Sequence, residues 1–141
     1  MNESYWLFNT DETEAEGEGA HLEMIGLSRM AVWGHCRRTG ACGTLNKPEE
    51  GETVFFFRAG QGIIASGQVT GEAFRGDTVF GQEGEYHRTI KNLRVLPCPL
   101  TVAEIRENTG YDLPCRHIVC RLNDEDGVRF IREHFENVPV V

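Results

Sequence analysis

Lysine is nearly absent from this chain: Lys47 and Lys91 are the only two, so almost all of its 14 basic residues are arginine. Against 22 acidic residues they leave a formal net charge of −8. That balance excludes a uniformly basic surface for nucleic acid, because phosphate contacts need a positive footprint. It leaves a local one open, and arginine suits forked recognition of phosphates and bases better than lysine does. Long apolar runs are missing too; none approaches the roughly 20 residues of a membrane-spanning helix, so no membrane partner is expected. No positively charged and then apolar leader opens the sequence. Cysteine occurs at positions 36, 42, 98, 115 and 120, with no C-x-x-C pair. An odd count without a leader argues against a disulfide framework, and the expected compartment is the cytoplasm. Also absent are G-x-S-x-G, the P-loop, H-E-x-x-H and a G-x-G-x-x-G following a strand. These absences remove the commonest signatures of hydrolases, nucleotide cradles, zinc proteases and dinucleotide sites, and no cofactor is expected.

What is present reads as one domain, residues 1–141, with no repeat, low-complexity tract or linker. A chain of this length buries about two-thirds of its unfolded surface, enough for a core without staples. Tyr5-Trp6-Leu7-Phe8 predicts a first strand, and the acidic stretch Asp11–Ala20 a loop. Leu22, Ile25 and Met30 suggest a short helix that Gly26 weakens. Thr53–Arg58 and Ile63–Thr70 are β-branched or aromatic runs joined by Ala59-Gly60-Gln61-Gly62, a hairpin connection. Gly67 inside the second run points to a bulge or a close backbone approach. Thr89–Val95 predicts another strand, closed by Pro97 and Pro99. Thr101 and Glu104 form a capping box for a helix ending near Asn108–Gly110. Arg116–Leu122 reads as a strand, and Asn123 as the cap of a last helix with Val128, Ile131 and Phe135 on one face. The sum is an α+β domain with strands in the middle and helices at the margins.

Two chemical readings of the side chains compete with a binding role. His35, Cys36 and Cys42 lie close together, as do Cys115, His117 and Cys120, but their spacing fits no common zinc site. On a strand Cys115 and His117 share one face while Cys120 takes the other. Buried cysteine acting as a small apolar residue explains them better, and no metal site is assigned. A Cys36–His35 nucleophile lacks an orienting acid, and sequence neighbours rarely face each other for chemistry. No catalytic residue is assigned, and the chain is read as a binding module rather than an enzyme. The aromatic residues carry more. Trp33 is followed by Gly34, Arg37 and Arg38, and Tyr86 by Arg88 and Lys91, the combination that base stacking with phosphate contact requires. For Trp6, inside a strand, the core is the natural place.

The order Tyr5-Trp6-Leu7-Phe8, Ala31-Val32-Trp33, Gly51-Glu52-Thr53-Val54-Phe55-Phe56-Phe57 and Gly62-Ile63-Ile64-Ala65-Ser66-Gly67-Gln68-Val69 resembles the EVE and YTH domains of the PUA-like group. The resemblance spans most of the chain, and it rests on the order and spacing of short motifs. It implies a curved, barrel-type sheet flanked by short helices. It also implies a pocket for a flipped, often methylated, nucleobase of DNA or RNA. On this resemblance Trp33 is one wall of an aromatic cage, and Asn9, Thr10 and Asp11 contact the base edge. Gly34 and Trp6 border the pocket, and Phe80 or Tyr86 takes the place of a second cage tryptophan that the chain lacks. A basic rim is expected from Arg29, Arg37, Arg38, Arg75, Arg88 and Lys91. The competing readings are a small-substrate enzyme of the related ASCH group, using Cys36, His35 or zinc, and a protein-interaction module within a larger system.

Overall fold

In the computed structural model the described residues are 4–10, 24–26, 29–32, 45–75, 86–114 and 119–141. Among these residues seven strands form one mixed sheet: β1 (Tyr5–Asn9), β2 (Arg29–Val32), β3 (Thr53–Arg58), β4 (Gly62–Val69), β5 (Phe74–Arg75), β6 (Tyr86–Leu100) and β7 (Val119–Leu122). Their spatial order is β2-β6-β4-β3-β1-β7, with β5 also paired to β6. β1 and β3 run parallel, and every other pairing is antiparallel. Two helices follow late in the chain, α1 (Val102–Thr109) and α2 (Glu125–Glu133).

The sheet is buried on both faces, which explains the unbroken apolar run of β3. Val54 and Phe56 point to one side with Phe8 of β1, where Met24, Met30, Leu45, Ile90 and Leu93 close a first core cluster. Phe55 and Phe57 point to the other with Leu7, where Ile105 of α1 and Val128 and Ile131 of α2 cover them. Alternation along a strand sends successive side chains to opposite faces, so a strand with both faces covered must be apolar throughout.

Curvature comes from three irregularities in the ladder, one between Phe56 and Phe57 of β3 and two in β4, at Ile63/Ala65 and Ser66/Gln68. Such bulges bend a strand and increase its twist, and the sheet curls into a half-barrel. Gly67 sits in the second β4 irregularity. A Cβ there would lie 2.1 Å from the Cγ2 of Ile90, so only glycine lets β4 and β6 close. The close approach expected at this glycine is therefore with a neighbouring strand.

The structure corrects several expectations. β6 does not stop at Pro97; it continues through Pro99 to Leu100. β2 pairs only with Tyr86–Thr89, and β4 shifts register between Val95 and Leu100, so the two exposed prolines leave no ladder bond unmade. Met30 belongs to strand β2, and among the described residues of that region 24–26 are helical. The cap of α2 is Asp124, whose carboxylate accepts the Gly127 N–H at 2.8 Å, rather than Asn123. A carboxylate there also meets the positive end of the helix dipole. The α1 cap agrees with expectation: Thr101 accepts the Glu104 amide, and Gly110 closes the helix at φ +77°. Of the expected strand Arg116–Leu122, positions 116–118 lie outside the described residues.

Candidate functional site

Tyr86 is the organising point of the candidate pocket. It opens β6, pairs with Val32 at the end of β2 on one side and with Arg75 at the end of β5 on the other. Trp33 and Gly34 therefore follow directly from a strand end beside Tyr86, and the segment containing Phe80 leaves from the other flank. The ring of Tyr86 is half-buried against the first core cluster. Trp33, Gly34, Asp11, Phe80, Arg37 and Arg38 themselves lie outside the described residues, as do His35, Cys36, Cys42, Cys115 and His117.

Asn9 and Thr10 belong to a different row of the ladder. Asn9 lies opposite Phe57, Phe57 opposite Ile63 and Ile63 opposite Leu100, at the far end of β6 from Tyr86. Thr10 is only 1% exposed. Its amide donates to the Phe57 carbonyl at 3.0 Å and its hydroxyl to the same oxygen at 3.3 Å. This double bond to one carbonyl fixes the direction in which the chain leaves β1 toward Asp11. Trp6 packs on the first core cluster, and its indole N–H donates to Glu52 Oε1 at 3.1 Å. Burial pushes the Glu52 carboxyl up, but hydrogen bonds from the Glu49 amide, the Trp6 indole and Ser4 outweigh it and hold the group below the usual range.

The expected rim divides. Lys91 is exposed on β6. Arg29 is half-buried on β2; its Nη1 stands 3.5 Å from His87 Nδ1 and its guanidinium lies 5.2 Å above the Phe74 ring. Arg75 pairs with Tyr86 through its backbone. Arg88 does not belong to a rim. It is 3% exposed, and its Nη1 donates to the Leu45 carbonyl at 2.8 Å and to the Pro48 carbonyl. Its Nε is buried without a hydrogen-bond partner among the described residues. Burial pushes its pKa down, and the charges of Glu50, Glu52 and Glu72 act the other way. Arg88 holds the 45–48 segment against β6; its place beside Tyr86 in sequence reflects strand parity inside a core.

One residue at this end escaped the sequence reading. Phe74, 38% exposed, is an exposed large apolar side chain on a strand, tilted against His87 at 5.8 Å between ring centres. The signal that was available is Phe74 followed by Arg75, the same aromatic–arginine juxtaposition that drew attention to Trp33. Among the described residues no group of three or more His, Cys, Asp and Glu stands close enough together to hold a metal ion.

Comparison with known proteins returns the fold. No family model matches the chain, and no curated protein matches it significantly. Solved structures do. Human THYN1, in a complex with DNA containing 5-methylcytosine, is 17% identical, with 96% of this chain and 99% of that chain aligned at a TM-score of 0.59. The DUF55 domain of human thymocyte nuclear protein 1 aligns over 95% of this chain and 100% of its own at 13% identity and a TM-score of 0.58. A hypothetical protein from Leishmania major aligns over 96% of both chains at 13% identity and 0.61. At these identities the shared property is architecture, and the chain has the EVE-like, α+β PUA-type fold that its motif order implied.

Proposed function

We propose that this chain is a nucleic-acid-binding module that accepts a flipped, modified nucleobase, with 5-methylcytosine in DNA as the first candidate and modified RNA as the second. The observation that carries the proposal is the alignment, over nearly the whole of both chains, with a human protein crystallised on DNA containing 5-methylcytosine. The convergence of two strand ends on Tyr86 supports it, since the segments bearing Trp33 and Phe80 both leave from that point. Extruding a base costs a few kcal/mol of unstacking, which stacking on aromatic side chains and hydrogen bonds to the base edge offset. A buried methyl group adds about 0.8 kcal/mol of apolar transfer. In this reading Trp33 is the stacking wall and Asp11 the edge contact; Thr10, buried with its hydroxyl on the Phe57 carbonyl, and Asn9, in the ladder row far from Tyr86, drop out of that role. With Arg88 in the core, the phosphate rim falls to Arg29, Arg37, Arg38, Arg75 and Lys91, and the acidic charge of the Asp11–Glu18 stretch should repel phosphate.

The test is a panel of DNA and RNA oligonucleotides that differ by single base modifications, measured at low salt. At least one modified strand is expected to bind more tightly than its plain counterpart. Trp33→Ala should weaken that complex by roughly 1–3 kcal/mol, the range for a lost base–aromatic stack. A folded protein that binds no strand of the panel, or binds all alike, overturns the proposal.

A further inference from the structure

The helix-covered face of the sheet, opposite the face on which Trp6 and Phe8 lie, holds an open groove of about 470 Å³. It lies between β3, β4, β6 and the end of α2, and three aromatic rings form its floor. Tyr5 stacks on Phe55 with ring centres 6.0 Å apart, and Phe55 stacks on Phe135 at 5.8 Å. Arg132 caps the series, its guanidinium 5.1 Å over the Tyr5 ring. Arg94 enters from β6 and donates one Nη1 bond to the Phe135 carbonyl at 3.1 Å. Among the described residues neither arginine has an ion pair, and Glu136 is the one acidic side chain on the lining.

Two further polar side chains face the groove. Ser66 is 7% exposed and lines the groove, and its hydroxyl makes no hydrogen bond among the described residues. The hydroxyl opens onto the groove, where it can donate to or accept from a bound group. Asn92 adopts φ +53°, the left-handed conformation that side chains other than glycine rarely take. Its amide donates to Gln68 Oε1 at 2.7 Å, and Gln68 in turn donates to the Gly51 carbonyl at 3.3 Å. This chain of amides fixes Asn92, and among the described residues its side-chain carbonyl oxygen accepts no hydrogen bond. Asparagine tolerates the left-handed conformation better than most side chains, and Asn92 falls at the register shift where Ser66 and Gln68 oppose Arg94 and Lys91.

We infer that this groove is a second binding site, for a small anion with a planar apolar body. The Arg132 guanidinium, the N–H groups of Arg94 not spent on the Phe135 carbonyl and the Ser66 hydroxyl take its oxyanion, the exposed Val140 side chain on the groove lining packs against the planar body, and Asn92 Oδ1 accepts from an N–H or O–H on it. A groove of this volume suits a nucleoside monophosphate or an aromatic carboxylate of similar size. Both carry the same chemistry, an oxyanion on a flat body. The site is independent of the nucleobase pocket, because alternation along β1 places Tyr5 and Trp6 on opposite faces of the sheet.

The experiment titrates the full chain with the four nucleoside 5′-monophosphates, the matching nucleosides, a hydroxybenzoate and inorganic phosphate. Binding is followed by calorimetry and by the side-chain amide resonances of Asn92 and Gln68. A monophosphate or the hydroxybenzoate should bind and shift both amides, and which of the two binds tells a phosphate head from a carboxylate. The nucleosides should bind at least tenfold more weakly. Arg132→Gln, on an exposed side chain, should weaken binding tenfold or more in a folded protein. Ser66→Ala should weaken it several-fold while leaving the melting temperature unchanged or raised, an outcome that a purely structural serine would not give. Trp33→Ala should leave it untouched. The inference falls if neither class of anion binds, if Arg132→Gln has no effect, or if Trp33→Ala abolishes binding.

Discussion

Arg88→Met decides whether the arginine next to Tyr86 and His87 belongs to the core or to the nucleic acid. The side chain donates to two buried carbonyls, those of Leu45 and Pro48, and a methionine of similar length donates to neither. Losing a charged donor to a buried acceptor costs roughly 1.5–3 kcal/mol for each bond. Against this stands the relief of a desolvated guanidinium whose Nε is unpartnered. Removing that penalty recovers part of the loss, so the net destabilisation is about 2–4 kcal/mol. For a domain of this size that lowers the melting temperature by roughly 6–15 °C. Urea denaturation and a thermal melt measure it directly. The second half of the assay is the slope of log affinity against log salt, taken at a temperature where the variant is folded. A phosphate contact contributes about 0.7–0.9 to that slope. An Arg88→Met protein that keeps its stability and loses about one such contact would refute the reasoning. A less stable protein with an unchanged slope upholds it.

Two further outcomes follow from the packing and the charges. Gly67→Ala should destabilise by about 1–3 kcal/mol through overpacking on Ile90 Cγ2, and Ile90→Ala by about 2–5 kcal/mol through the cavity. The double variant should lie below the sum of the singles by more than about 0.5 kcal/mol, and additivity in chemical denaturation would show that the contact is not the constraint. The Glu52 carboxyl, held below its ordinary value of 4.5, binds fewer protons folded than unfolded at mildly acidic pH. Its contribution is therefore fully present above the unfolded value and is lost as pH falls through the folded one. Glu52→Gln, which can still accept the Trp6 N–H, should flatten the acid limb of the stability curve, and an identical limb would remove Glu52 from the account.

Much of this fold was legible because its rules are local. The β3–β4 hairpin follows from two apolar runs and a glycine connection, and the α1 cap from Thr101 and Glu104 three residues apart. What could not be read depends on partners distant in sequence. Proline is a local stop signal, yet β6 passes Pro97 and Pro99 because no neighbour needs their missing N–H groups. Asn123 and Asp124 are both good caps, and which one takes the role depends on where the preceding strand releases the chain. Arg88 looked like a rim residue because an aromatic stands two positions away, whereas the carbonyls that hold it are 43 and 40 residues distant.

That last case bears on how an acidic protein is searched for an anion site. The density of arginines near aromatics does not discriminate among them. The same pairing occurs at Arg29 over Phe74 on the sheet edge and at Arg132 over Tyr5 on the helix-covered face. In sequence Arg88 beside Tyr86 looks no different, although its guanidinium ends on two carbonyls. What separates them is whether backbone oxygen or carboxylate already claims the guanidinium. A claimed arginine holds loops together, and moving it to a phosphate would expose the carbonyls it satisfies at a cost of about 1–3 kcal/mol each. An arginine that no carbonyl or carboxylate among the described residues holds loses little by turning to an oxyanion, since an exposed cation–π contact is worth about 0.5–1 kcal/mol and a charge-assisted bond about 1.5–3 kcal/mol. By that criterion Arg132 is poised for a ligand, and Arg29 is the described arginine near Tyr86 best able to meet a phosphate.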